Sequence, residues 1–140
     1  MIKAYGICLY KKENSSCQIL LGKSFGKNKW GFLKGCQEID ETPIQTAQRE
    51  FYEECGVFVE TKYFENFFLQ KNESKDIGIF LVNARNLPHI EKYFEDGKLK
   101  MQYQTCENED VVFFDIKTLP PIKSKQKDII KNVIELLNPN

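Results

Sequence analysis

Residues 35 to 57 read GCQEIDETPIQTAQREFYEECGV, and this stretch specifies a helix at both of its ends. Thr42 stands at the N-cap position, Pro43 at the first helical position and Gln45 at the third, which makes a capping box with the proline a first turn tolerates. Gly56 supplies the left-handed stop. The spacing predicts a helix over Pro43 to Cys55. At about 100° per residue, Ile44, Ala47, Phe51 and Cys55 fall on one stripe, expected to pack on a sheet.

The polar side of that helix is unusual. Glu50, Glu53 and Glu54 cluster about a third of a turn from the apolar stripe, and Glu50 faces Glu54 four residues on, where like charges repel. A charge run on a helix is most often a solvated face. A solvated face, however, favours Glu paired with Lys at that spacing, and the nearest base, Arg49, lies four before Glu53. Three converging carboxylates are tolerable when a divalent cation neutralises them, and hard oxygen donors suit Mg²⁺ or Mn²⁺.

Outward from the helix, strands and helices intermix. IKAYGICLY (2–10) and QILLGKS (18–24) are rich in strand formers, and KKENSS between them reads as a hairpin connection. FGKNKWGFLKG (25–35), punctuated by Gly and Lys, reads as a loop leading into a short strand. FENFFLQ, IGIFLVNA and DVVFFDI are strand-like, with a charged segment, HIEKYFEDGKLK, before the last. Ile129, Ile130, Val133, Leu136 and Leu137 recur at helical spacing, predicting a closing helix over 125–137 capped by Ser124. The pattern implies one α/β domain over residues 1–140, a sheet sandwiched between helices.

Lys plus Arg equals Asp plus Glu at 20 each, so no large basic field marks nucleic acid as a bulk partner, though local patches stay open. The longest apolar runs are too short to span a bilayer and the first residues lack the order of a signal peptide, so a cytosolic protein without a membrane partner is expected. Five Cys form no CxxC pair and the one His is His89, which argues for reduced thiols over a disulfide framework or a zinc site.

Gly35, Glu41, Arg49-Glu50, bulky Phe51, Glu53-Glu54, Gly56 and aliphatic Val57 together resemble the Nudix box of the Nudix hydrolase family. Phe51 is the soft match, where the family more often has an aliphatic residue. The resemblance implies a Nudix-type α/β/α sandwich with a mixed sheet and Mg²⁺- or Mn²⁺-dependent hydrolysis of a diphosphate linkage in a nucleotide. It implies metal ligands at Glu50, Glu53, Glu54 and the Gly35 carbonyl, with Arg49 orienting a box glutamate. Glu41 is either a further metal or water ligand or a charge favoured by the helix dipole. A catalytic base often comes from a later carboxylate: Glu109 is the first choice, Glu107 the second, and Glu91, Glu95 and Asp96 are weaker.

KWGFLKG (29–35) is similar to the WGFPKG of relatives acting on dinucleoside polyphosphates, inositol pyrophosphates and RNA 5′ ends, with Leu33 in place of proline. Lys34 is expected to contact a phosphate chain, while Trp30 and Phe32 either stack on a base or pack. The substrate so implied is a dinucleoside polyphosphate or an RNA 5′-triphosphate. Alternatives are a nucleoside triphosphate, oxidised ones included, an ADP-ribose-like sugar nucleotide, or a binding module without catalysis.

Overall fold

The computed structural model describes residues Met1 to Asn138. A long hairpin opens the chain: β1 (Ile2–Glu13) and β2 (Ser16–Ser24) are joined by the two residues Asn14 and Ser15, so the strands run on through the lysines expected in the connection. Asn14 takes φ 55°, which Asn tolerates better than most side chains. Short β3 (Trp30–Gly31) and β4 (Leu33–Cys36) follow, then helix α1 (Pro43–Cys55), β5 (Phe64–Lys71) and β6 (Lys75–Asn83). The charged segment forms a small hairpin, β7 (Phe94–Glu95) and β8 (Lys98–Leu99), around Asp96 and Gly97, both at positive φ. The closing elements are β9 (Asn108–Asp115) and helix α2 (Lys127–Leu137).

The strands join in the order β5-β6-β1-β2-β9-β8-β7, with β3 on β2 and β4 on β1. β1 and β6 run parallel from Ile2↔Lys75 to Tyr10↔Asn83 and the other pairs are antiparallel, so the sheet is mixed. A side-chain period of two splits the central strands between two cores. Tyr5, Ile7, Leu9, Phe80 and Val82 face α1 with Ala47, Phe51 and Cys55. Cys8, Tyr10, Ile77, Ile79 and Leu81 face α2 with Ile129, Ile130 and Val133. Burial on both faces is why β6 reads as a continuous apolar run. The architecture is an α/β/α sandwich.

Both ends of α1 form as the sequence predicts: the Thr42–Gln45 capping box is present, and Gly56 at φ 82° donates its N–H to the Tyr52 carbonyl. Ala47, Phe51 and Cys55 are fully buried, whereas Ile44 is only half-buried. The other end differs from expectation. α2 begins at Lys127 after a 3-10 turn over Ser124–Gln126, and Ser124 does not cap it. Gln70 of β5 does so instead, its Oε1 accepting the N–H groups of Asp128 and Ile129 at 3.1 Å each. All five cysteines are free. Among the described residues no helix is long and apolar enough to cross a membrane.

Candidate active site

The polar side of α1 meets β4 at Gly35 and the start of β9 at Asn108. Glu54 is buried at 6% exposure, Glu50 is half-buried and Glu53 is exposed. Asn108 donates from Nδ2 to Glu54 Oε1 at 3.0 Å, while Glu54 Oε2 is buried with no hydrogen-bond partner. Burial, with the Glu50 and Glu107 charges adding to it, pushes the Glu54 carboxyl up to about 8 against the help of Asn108. Burial likewise raises Glu50, opposed by Arg49.

Arg49 organises the rest. Its Nε and Nη2 grip Glu41 at 2.6 and 3.1 Å, Nη2 also donates to the Cys36 carbonyl at 3.0 Å, and Nη1 reaches Glu50 at 2.7 Å and Glu53 at 3.2 Å. Hydrogen bonding to Arg49 holds the Glu41 carboxyl down at about 2. Glu41 also accepts from Thr46 Oγ1 and the Glu38 N–H. Glu41 is thus the anchor of Arg49 and has both oxygens engaged.

Gly35 faces the Glu50 carboxylate so closely that a Cβ would overlap it, so only glycine leaves Glu50 and the main chain of β4 side by side. Among the described residues no three acidic, imidazole or thiol side chains already converge as a chelate. The donor set nonetheless fits a hard divalent cation. An orphaned buried carboxylate oxygen on Glu54 and a second carboxylate on Glu50, held against the Gly35 main chain, stand together.

The later carboxylates separate. Glu107 acts electrostatically on both Glu50 and Glu54. Glu109, the first choice from sequence, pairs instead with Lys23 at 3.2 Å, and Lys23 lies over Trp30 on the α2 side. The cause is a β-bulge: Ser24 pairs with Asn108 and Lys23 with Asp110, which leaves Glu109 as the extra residue. Alternation back from Phe113 and Val111 would have turned Glu109 toward α1, and the bulge turns Asn108 there in its place. Glu91 and Asp96 line a separate cavity of about 290 Å³. Lys11 of that cavity stands six residues along β1 from Tyr5, the partner of Gly35, roughly 20 Å away. Glu95 is exposed on β7 in the same region.

Of the aromatic candidates, Phe32 is corrected to a core residue: at 4% exposure it packs in the α2-side core and cannot stack on a ligand. Trp30 is half-buried, edge-on to Phe114 at 4.7 Å. Lys34 lies on the α2 side, opposite Gly6, in a second cavity of about 360 Å³. Burial first, then the Lys75 and Lys123 ammoniums, lower its affinity for a proton, while Glu54 raises it.

The model of the NUDIX domain matches residues 2–133. An RNA pyrophosphohydrolase from Psychromonas ingrahamii is 43% identical over 44 residues, a match covering 31% of this chain and 24% of that relative. Among solved structures, a Caenorhabditis elegans Ap4A hydrolase in a binary complex superposes with a TM-score of 0.68 at 15% identity, covering 98% of both chains. The NUDIX domain of Shewanella oneidensis NrtR, crystallised with ADP ribose, gives 0.70 at 15% identity over 98% of this chain and 88% of that one. The UDP-X diphosphatase gives 0.62 at 19% identity over 97% and 64%. With the box assembled on α1 and the domain model spanning nearly the whole chain, this protein belongs to the NUDIX family.

Proposed function

We propose that this protein cleaves a diphosphate linkage in a polyphosphate-bearing nucleotide, either a dinucleoside polyphosphate or the 5′-triphosphate end of an RNA, with Mg²⁺ or Mn²⁺, in the cytosol. The observation that carries the reading is Lys34, which lines a lysine-rich cavity of about 360 Å³ and stands next in the chain to Gly35 of the box. Similarity to an RNA pyrophosphohydrolase and to an Ap4A hydrolase agrees with it.

Glu50, Glu53, Glu54 and the Gly35 carbonyl would hold the cation. When bound, it polarises a phosphoryl oxygen and makes hydroxide accessible near neutral pH. Arg49 sets the orientation of Glu50 and Glu53, Asn108 fixes Glu54, and Glu107, whose charge acts on Glu50 and Glu54, would take the proton. Lys34 would meet the phosphates beyond the cleaved bond as a point charge.

The test is a panel of diadenosine tetraphosphate, 5′-triphosphorylated RNA, free nucleoside triphosphates and ADP-ribose, run with each metal and with chelator. Lys34→Ala should lose about tenfold or more in kcat/KM on the long-chain substrates, the loss of one charge-assisted contact worth roughly 1.5 to 3 kcal/mol, and little on ADP-ribose. A uniform loss below about twofold on every substrate would remove Lys34 from the site.

A further inference from the structure

The cavity beside the box has an electrostatic character that the box does not require. Lys27 and Lys29 enter it from the β2–β3 loop, Lys34 from β4, Lys75 from the start of β6, and Lys123 and Lys125 from the turn before α2. No Asp or Glu lines it, and the other polar liners are Ser24, Asn28, Ser124 and Gln126. None of the six lysines is in an ion pair among the described residues, although the whole chain has a formal net charge of zero. Unneutralised like charges drawn into one concavity raise the energy of the empty protein, and a polyanion removes that cost.

The shape narrows the ligand. A volume of about 360 Å³ is room for a few phosphate groups, not for a folded macromolecule. The walls lack what would grip a nucleobase: no aromatic ring lines the cavity, Phe32 is sealed in the core, and Trp30 packs against Phe114. The surroundings are firmly held. Gln126, 2% exposed, accepts the Phe32 N–H at 2.8 Å and fits only because Gly31 has no Cβ. The Trp30 and Lys123 main chains are hydrogen-bonded at 3.0 Å, and Asn72 holds the Lys125 carbonyl at 3.1 Å.

We infer that this six-lysine cavity binds a compact chain or cluster of at least three phosphate groups and recognises their charge, with no requirement for a nucleobase. The inference builds on the hydrolase reading in placing the phosphates next to the box, yet it concerns binding and is tested without turnover. The source of the phosphates, a small polyphosphate or the end of an RNA, is separated by the probes below.

Trp30 is the one tryptophan, and its main chain is bonded to Lys123, so its fluorescence is one readout of changes next to the cavity. In chelator, with the full chain, inorganic tripolyphosphate should bind at least tenfold more tightly than orthophosphate or AMP, and adenosine should not bind. Calorimetry supplies a second readout. Lys75→Ala and Lys123→Ala should each weaken tripolyphosphate at least fivefold and lower the slope of log affinity against log salt by about one. Lys117→Ala, an exposed lysine away from the cavity, should change nothing, and Glu54→Gln should leave binding intact. A 5′-triphosphorylated oligoribonucleotide should bind at least tenfold better than its 5′-hydroxyl twin. Equal binding of those two RNAs, binding of adenosine or AMP as tight as tripolyphosphate, or indifference to Lys75 and Lys123 would each overturn the inference. A protein that binds tripolyphosphate in this way but hydrolyses nothing would leave it standing while removing the substrate reading above.

Discussion

Glu54→Gln should hydrolyse at least about a thousandfold more slowly than wild type and, in chelator at pH 8, unfold at a higher temperature. The two effects have one origin. Without metal, burial raises the Glu54 carboxyl from an ordinary 4.5 to about 8 in the folded protein. Between those values the native state keeps a proton that the unfolded chain releases, so Glu54 makes the protein less stable as pH rises through that window. Gln cannot ionise, keeps an oxygen for the Asn108 amide, and replaces one unpartnered buried atom with another. The stability gap between variant and wild type should therefore be small at pH 5 and grow to roughly 2 to 4 kcal/mol by pH 8. Mg²⁺ or Mn²⁺ should then raise the melting temperature of wild type at pH 8 and leave the variant unmoved, because binding to the native state alone is stabilising. Thermal melts at three pH values, with and without metal, decide the matter. A gap that is flat with pH, or a variant with wild-type kcat, would sink the assignment of Glu54.

What the sequence discloses of this site is what local physics controls. The capping box, the Pro43 start and the Gly56 stop fix α1 within itself, and the helical wheel then places Glu50, Glu53 and Glu54 without knowledge of any other element. Even there the sheet decides the grading: Asn108 of β9 meets the buried Glu54, Gly35 of β4 lies against Glu50, and Glu53 stays in solvent. The features that were not legible depend on distant pairings. The side of the sheet on which Glu109 falls turns on one bulged residue, and nothing in NEDVV announces a bulge. Asn108 reads as an ordinary strand-edge amide until it meets Glu54, 54 positions away. Gln70 capping α2 spans a similar separation, so Ser124, the local candidate, is the natural but mistaken choice. The lysine cavity gathers side chains from four separate segments, each unremarkable in a chain with balanced charge.

Arg49→Lys should keep a positive charge on α1 and still lose about a hundredfold in kcat with roughly 2 kcal/mol of stability. Arg49 makes five contacts with one planar fork: two to Glu41, one to the Cys36 carbonyl and one each to Glu50 and Glu53. A lysine ammonium is a compact point charge that cannot bridge Glu41 on one side to Glu50 and Glu53 on the other, so the latter two lose their common reference. At this size a loss of 2 kcal/mol lowers the melting temperature by roughly 4 to 8 °C. The pH dependence separates positioning from general damage. In wild type, hydrogen bonding to Arg49 holds Glu41 at about 2, below an ordinary 4.5. That contribution is fully present above pH 4.5 and fades as pH falls toward 2, because only then does the folded protein take up the proton. The stability difference between wild type and Arg49→Lys should accordingly be largest near neutrality and shrink through the acid range. A difference that persists unchanged down to pH 2 would mean that the lysine disturbs packing around α1, and that the Glu41–Arg49 clamp does not set the geometry of the box glutamates.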